Sequence, residues 1–421
     1  MGNWIAGDAL AGSVRAVVVT WNGAALLPAC LDSLLSQIIP DERCPGEQFP
    51  ANQFPANQSP GKKFPGKQFP RQQLEVLVVD NGSTDDTLAL LAGQYPQVRV
   101  LALPENLGFA GGIAAGTVDL LTDPLSDIGD PHLGRKDLLP NLIDRPSQGN
   151  GSVPAPNLEP PQFVPEYIAL LNNDARFAPD AIGQLIRAID PEPTKVGQQR
   201  KIGAATALVL LDEQPTVGID GEASIDPLAE QSGLVPTINS TGNIVTPQGA
   251  ATDRDYGLPF TELPTDPAHR EVFGFNGGAA LLRVAALREV GGFDPSLFLY
   301  YEDTDLSFRL RRAGWDIVFA PEAVAWHRHM ATSGGETSPV FRYYNTRNSI
   351  IIAARYLPVS KLFRSVARQT LGLIRHWILR DESALVRKAR SQGLAAGLRA
   401  VPLQWGRRHP ARSQRENSEV N

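Results

Sequence analysis

Three carboxylates stand within the run Tyr300-Tyr301-Glu302-Asp303-Thr304-Asp305, directly before the amphipathic stretch LSFRLRRAGW. Acids in a first helical turn meet the helix dipole favourably. Capping alone does not call for three of them behind a tyrosine pair. A carboxylate beside an attacking hydroxyl can take its proton. Negative charge nearby also steadies an oxocarbenium-like transition state. Three further runs are VVVTWNG (Val17–Gly23), VLVVDNGSTDDT (Val76–Thr87) and LLNNDA (Leu170–Ala175). Each starts apolar and ends abruptly in Asn, Asp or Gly.

That pattern is a buried parallel strand whose carboxyl end opens into a polar cleft. Ligands of open α/β sheets bind beyond those ends. The three tips therefore bring Asn22, Asp80 and Asp174 to one rim. Asp80 at a strand end can accept from a pyrimidine N3–H, or it and Ser83 merely cap the following helix. Asn-Asp after a strand can equally be a turn. The acidic run reads as a helix closing at Gly314.

The 421 residues allow one large domain or two to three small ones. A net charge of −6 does not suggest a nucleic-acid binder. Cys30 and Cys44 have no metal spacing and suit a reducing compartment, where no disulfide between them is expected. The N-terminal stretch lacks a signal-peptide pattern, and Ala6 stands where a myristoylation motif wants Ser or Thr. No run reaches about 18 apolar residues. These features predict a cytoplasmic chain.

Taken together, the four signatures resemble the family 2 inverting glycosyltransferases with a GT-A fold, especially their rhamnosyltransferase-like and galactofuranosyltransferase-like members. The resemblance implies an α/β fold: a GT-A type three-layer sandwich with a mostly parallel mixed sheet, plus a C-terminal helical tail. It implies transfer of a sugar from a nucleotide-diphosphate donor, first of all dTDP-rhamnose, to a saccharide or lipid-linked acceptor in cell-surface polysaccharide synthesis. Asp303 matches the catalytic base and Glu302 its neighbour, which helps to bind acceptor hydroxyls with Tyr301 and Trp326. Thr20, Asn22, Asp80, Asn81 and Ser83 match base- and ribose-facing positions. Asn106, Gly108, Gly111 and Gly112 match the family's NxGFAGG run, although Ile113, Ala114 and Ala115 replace its following Asn residues. Asn172 and Asn173 complete the donor set. Asp174 and His327 match the ligands of a Mg²⁺ or Mn²⁺ ion, with a core histidine as the plainer reading of His327. Asp305 and Arg309 read as an i,i+4 pair framing the helix.

The sequence places the catalytic domain at 10–355. Two insertions interrupt it. Residues 40–73 hold a proline-rich pentapeptide repeat, read as extended and as a tolerated surface loop. Residues 123–163 form a second polar loop. A third polar stretch, 212–270, carries INSTGNIVTPQG and DRDYG and suits a lid or substrate-contacting segment. The tail at 356–421 is basic and amphipathic. Leu362, Phe363, Val366, Leu373, Ile374, Trp377 and Ile378 are expected on one face, with Lys361, Arg364, Arg368, Arg375 and Arg380 mostly off it. It reads as peripheral contact with the anionic inner face of the cell membrane, or as a packed helix with a solvated basic side. A non-catalytic sugar-binding module is the rival function. A Rossmann oxidoreductase would need Gly-x-Gly-x-x-Gly after the first strand, where VVVTWNGAALL stands.

Overall fold

The computed structural model describes residues 12–40, 66–68, 73–121, 163–191, 200–212, 235–246, 250–328 and 337–408. The 123–163 loop lies almost wholly outside them, as do most of the pentapeptide repeat, the 213–234 part of the third polar stretch and Cys44. The chain divides into two compact units. The first comprises residues 1–243, 253–298 and 302–329; the second comprises 244–252, 299–301 and 330–421.

The first unit is built on one mixed sheet. Its strands are β1 (Val14–Thr20), β4 (Leu74–Asp80), β5 (Arg99–Ala102), β6 (Tyr167–Leu171), β7 (Ala175–Phe177), β8 (Ile202–Leu211), β9 (Ile238–Ser240), β12 (Ala279–Arg283) and β13 (Asp316–His327). The order is β5-β4-β1-β6-β12-β8-β13-β7, with β9 on β8. β5, β4, β1 and β6 are mutually parallel, and β8 pairs parallel with β13. β12 runs antiparallel between β6 and β8, and β7 and β9 are also antiparallel to their neighbours. All seven residues of β1 are buried, as a strand covered on both faces requires.

Helices cover each face. On one lie α1 (Leu27–Leu35), α2 (Thr87–Gln94) and α4 (Ala181–Ile189), whose Leu27, Leu31, Leu34, Leu91, Ile182 and Leu185 join one core. On the other lie α3 (Gly108–Leu121), α5 (Val284–Val290) and α6 (Glu302–Arg312), which contribute Ile113, Val118, Leu287, Leu306 and Leu310. Leu27, Leu31 and Leu34 follow the i, i+4, i+7 spacing of a helical stripe, and burying each contributes about 1.5–3 kcal/mol. This is the expected three-layer GT-A type sandwich.

Two short strands, β2 (Ile38–Pro40) and β3 (Gly66–Gln68), pair antiparallel. The described part of the repeat, Gly66–Gln68, is thus an extended strand paired with the chain just before the insertion. A hairpin of β10 (Asn243–Val245) and β11 (Ala251–Asp253) follows β9, and its outermost residues, Asn243 and Asp253, belong to the first unit.

The second unit holds α7 (Pro339–Tyr356), α8 (Val359–Leu379) and α9 (Ala384–Arg408). By its contacts α7 groups with the tail helices, although the sequence boundary at 355 counted it with the catalytic domain. Among the described residues no helix is long and apolar enough to cross a membrane. The apolar face expected on α8 is split. Leu362 is buried with Ser365 and Gln369, at i, i+3 and i+7, and Gln369 donates to Ser349 Oγ at 2.8 Å. Phe363, Ile374, Trp377 and Ile378 stay exposed. The packed stripe is largely polar because residues 365 and 369 are polar, so the large apolar side chains point elsewhere.

Candidate active site

The strand order β4-β1-β6 sets three carboxyl ends side by side. Their first polar residues hold one another. Asn22 adopts φ 51°, its backbone N–H donates to Ser83 Oγ at 2.8 Å, and its Oδ1 accepts from the Thr84 N–H at 2.8 Å. Asn173 Nδ2 donates to Thr20 Oγ1 at 2.9 Å. Asp80 is buried; its Oδ2 accepts from the Ser83 N–H at 3.2 Å, while Oδ1 is buried without a hydrogen-bond partner. Native proteins seldom leave a buried carboxylate oxygen without a donor.

Asn81 is differently engaged. Its Nδ2 donates to Gly108 O at 2.9 Å and its Oδ1 accepts from the Leu107 N–H at 3.1 Å, so the amide clamps the loop before α3. Asn106 Oδ1 accepts from the Gly108 N–H at 2.8 Å at the start of that helix. Gly108 has φ 73°, and a Cβ there would meet Phe298 O at 2.2 Å. Gly112 presses on Val19, where a Cβ would lie 2.5 Å from Cγ1. Gly111 and Gly112 are buried, and Gly112 serves close helix–sheet packing. Ile113, Ala114 and Ala115 are buried beyond them.

The third tip carries the amide-acid run. β12 starts where β6 ends, and the Asn172 N–H donates to Gly278 O at 3.0 Å. Asp174 is buried. β13 ends beside it at His327, opposite Ala175 in the ladder. His327 Nε2 lies 3.1 Å from Asp174 Oδ1 and 3.4 Å from Asn172 Nδ2. Asp174 and His327, assigned together from sequence, are therefore neighbours. Among the described residues no three or more His, Cys, Asp or Glu side chains converge in a way that could hold a metal ion. Two protein ligands suit Mg²⁺ or Mn²⁺, which take one or two side chains and fill the remaining positions with phosphate oxygens and water. The donor set fits such an ion.

Asp303 lies in the first turn of α6. Its Oδ2 accepts from the Gly277 N–H at 3.1 Å and its Oδ1 from the Thr304 N–H at 2.6 Å. Burial pushes this carboxyl above the ordinary Asp range, against the opposing bonds from Asn243, Gly277 and Thr304. A raised pKa makes a carboxylate a better proton acceptor near neutrality. Glu302 is buried and its Oε2 has no partner. Burial first, and then the adjacent Asp303 charge, push its carboxyl well above the usual range. Environment thus raises both acids, and Glu302, with the Asp303 charge beside it, further than Asp303. Asp305 Oδ2 accepts from Arg309 Nε at 2.9 Å, the predicted i,i+4 pair, and Arg309 Nη1 also donates to Val290 O and Gly291 O. Tyr301 is buried with φ 71°. Trp326 has the Arg176 guanidinium 4.2 Å from its ring centroid. It alternates along β13 with His327, so the two side chains leave opposite faces.

The glycosyltransferase-like family 2 profile matches residues 67–346. The chain belongs to that family. It is similar to N-acetylglucosaminyl-diphospho-decaprenol L-rhamnosyltransferase of Mycobacterium tuberculosis, from strains CDC 1551 / Oshkosh and ATCC 25618 / H37Rv, at 26% identity over 299 residues, covering 71% of this chain and 80% of the relative. Among solved structures it is similar to GalNAc-T7 with UDP, GalNAc and Mn²⁺, at 12% identity and a TM-score of 0.49, over 94% of this chain and 58% of that one. It is also similar to the mannosyltransferase PcManGT from Pyrobaculum calidifontis with GDP-Man and Mn²⁺, at 13% identity and 0.42, over 92% and 86%.

In this glycosyltransferase several site residues escaped the sequence reading. Asp253, at the end of β11, accepts from Asn276 Nδ2 at 2.8 Å and from Ser240. Burial raises its carboxyl, the Asp303 charge raises it further and His327 opposes. Asp253 therefore lies within electrostatic reach of both the acidic pair and the Asp174–His327 pair. Asn276 Oδ1 also accepts from the Gly278 N–H at 2.8 Å, which connects this group to Asn172. Asn239, Asn243 and Asp253 come from the third polar stretch, whose pattern of very short strands between Asx residues was the available signal.

Proposed function

We propose that this glycosyltransferase moves a sugar, first of all L-rhamnose from its dTDP donor, onto a lipid-linked saccharide with inversion at the anomeric carbon. The observation that carries the reading is the Gly277-Gly278 turn that joins the two groups: the Gly277 N–H donates to Asp303 Oδ2 at 3.1 Å, and Gly278 O accepts at 3.0 Å from the N–H of Asn172, two residues before the His327-paired Asp174. Asp80 Oδ1 offers an acceptor to the nucleotide. Asp174 and His327 would hold Mg²⁺ or Mn²⁺, whose charge offsets that of the diphosphate. Asp303 takes the proton from the acceptor hydroxyl as its oxygen attacks the anomeric carbon opposite the departing diphosphate. The Gly277 and Thr304 N–H groups keep the carboxylate pointed while it does so. The name of the relative, N-acetylglucosaminyl-diphospho-decaprenol L-rhamnosyltransferase, supports this choice of sugar and acceptor.

A lipid-linked acceptor calls for membrane contact, and α8 supports it. Phe363 (69% exposed), Leu371 (66%), Ile374, Trp377 and Ile378 (73%) make an open apolar strip. Lys361, Arg364, Arg368 and Arg375 recur beside it at i, i+3, i+7 and i+14. Apolar insertion flanked by cations fits the anionic inner face of a cell membrane. The test is a panel of nucleotide sugars with a polyprenyl-diphospho-N-acetylglucosamine acceptor, with Mn²⁺ or EDTA, reading product by mass and anomeric configuration by NMR. Retention of configuration, or turnover undiminished by EDTA, would overturn the mechanism. Preference for another donor would replace the sugar.

A further inference from the structure

β9 pairs with β8 through an irregular register. Val209 lies opposite Ser240 and Leu210 opposite Ile238, so Asn239 is the extra residue of a β-bulge. A bulge re-aims the side chain it carries, and bulges gather next to active sites. Asn239 is buried, and its Oδ1 lies 2.8 Å from His327 Nδ1. An amide oxygen only accepts, so Nδ1 carries the proton. In the neutral ring the lone pair is then on the other nitrogen, Nε2, which lies 3.1 Å from Asp174 Oδ1.

We propose that Asn239 is a positioning residue that fixes the tautomer and ring orientation of His327, so that Nε2 is the atom offered to the divalent ion. The inference rests on the metal reading above and deepens it. Groups that hold a ligating histidine by its second nitrogen typically change metal affinity 10–100-fold when removed. The bulge supplies a reason for the local chain geometry: in a regular ladder β9 would alternate its side chains, and residue 239 would have a fixed partner across from it on β8.

Two measurements on the full chain test this. Long-range ¹⁵N–¹H correlation of ¹⁵N-histidine-labelled protein, with His327 assigned by the His327→Gln spectrum, reports its tautomer directly. Wild type without metal, at a pH where the spectrum shows the ring neutral, should carry the proton on Nδ1 and the lone pair on Nε2. A proton on Nε2 alone would overturn the proposal, whether or not any variant folds. Mn²⁺ titration by electron paramagnetic resonance in the presence of dTDP then gives affinity without turnover. Asn239→Leu should weaken Mn²⁺ binding about 10–100-fold. Asn239→Asp, which keeps an acceptor, should stay within about threefold of wild type or bind more tightly. Equal Mn²⁺ affinity in wild type and Asn239→Leu would sink the proposal while leaving the metal site intact. No Mn²⁺ binding by wild type would remove the metal reading itself.

Discussion

Asp303→Asn separates chemistry from architecture at the acidic pair. Asp303 accepts from Gly277 N–H on Oδ2 and from Thr304 N–H and Oγ on Oδ1. An amide keeps one of those acceptors and turns the other into a donor facing a donor. The loss is about one hydrogen bond, roughly 1 kcal/mol, partly offset by removing a buried charge. The variant should therefore fold, with stability within about 1 kcal/mol of wild type and donor binding unchanged. Loss of a general base should lower transfer about 10²–10⁴-fold, which corresponds to roughly 2.7–5.4 kcal/mol of barrier. The pH profile adds a second reading. Burial raises the Asp303 pKa, so the active, ionised form is lost as pH falls through that raised value. Wild-type kcat/KM should fall on an acid limb lying above the ordinary Asp range of about 3.9, and Asp303→Asn should lack that limb. The assay is sugar transfer followed by mass spectrometry across pH 5–9, with dTDP affinity by calorimetry on the same samples. Transfer within a few-fold of wild type and an unchanged acid limb would refute the assignment and move the base to Glu302 or Asp253.

Asp174→Ala should abolish Mn²⁺-dependent binding of a nucleoside diphosphate in calorimetry, and His327→Ala should weaken it less; an unchanged signal in Asp174→Ala would exclude that carboxylate as the main ligand. Glu302→Gln should keep transfer within about tenfold and stabilise the fold increasingly as pH rises. The sign follows from the raised folded pKa: the stability Glu302 confers as a neutral acid is present below the unfolded value of about 4.3 and lost as pH rises through the folded value, whereas Gln does not titrate. Thermal melts of both proteins from pH 5 to 9 check this, and a constant difference in Tm would contradict it. Replacing Arg364, Arg368 and Arg375 together by Gln should cost about 3 kcal/mol of binding to anionic vesicles, roughly 10²-fold, at about 1 kcal/mol per cation near the surface. Co-sedimentation of the full chain reads it, wild-type binding should fall with salt, and equal binding by the variant would show that these cations do not face lipid.

The strand tips of the proposed donor side were legible because buried parallel strands announce their own ends. Val17–Thr20, Val76–Asp80 and Leu170–Leu171 are apolar until the tip, and the polar residues that follow can only line the rim. Residue types did not reveal which side chains are spent on the rim itself. Asn81 looks like a ligand in sequence but uses both ends of its amide on Leu107 and Gly108. The α8 face misled for a related reason. Periodicity finds an apolar stripe, but not whether a neighbouring helix takes it, and here a polar stripe led by Ser365 and Gln369 was taken instead.

The remaining half of the site is carried by pieces too short to have a period. β9, β10 and β11 are three residues each, and Asn239, Asn243 and Asp253 stand on them at a bulge and at hairpin ends. Such positions are set by pairing with distant strands, so their side-chain directions are absent from local sequence. The division has a chemical sense. A nucleotide diphosphate presents similar groups whatever sugar it carries, and a rigid row of parallel strand tips can hold it. The sugar and its acceptor vary, and on the proposed reading the residues that would meet them include Asp253 and Asn276, which stand on a hairpin end and a loop rather than on the parallel strands. A change of donor sugar within this fold should therefore map to the 238–253 and 274–278 segments before it touches Asp80, Asp174 or Asp303.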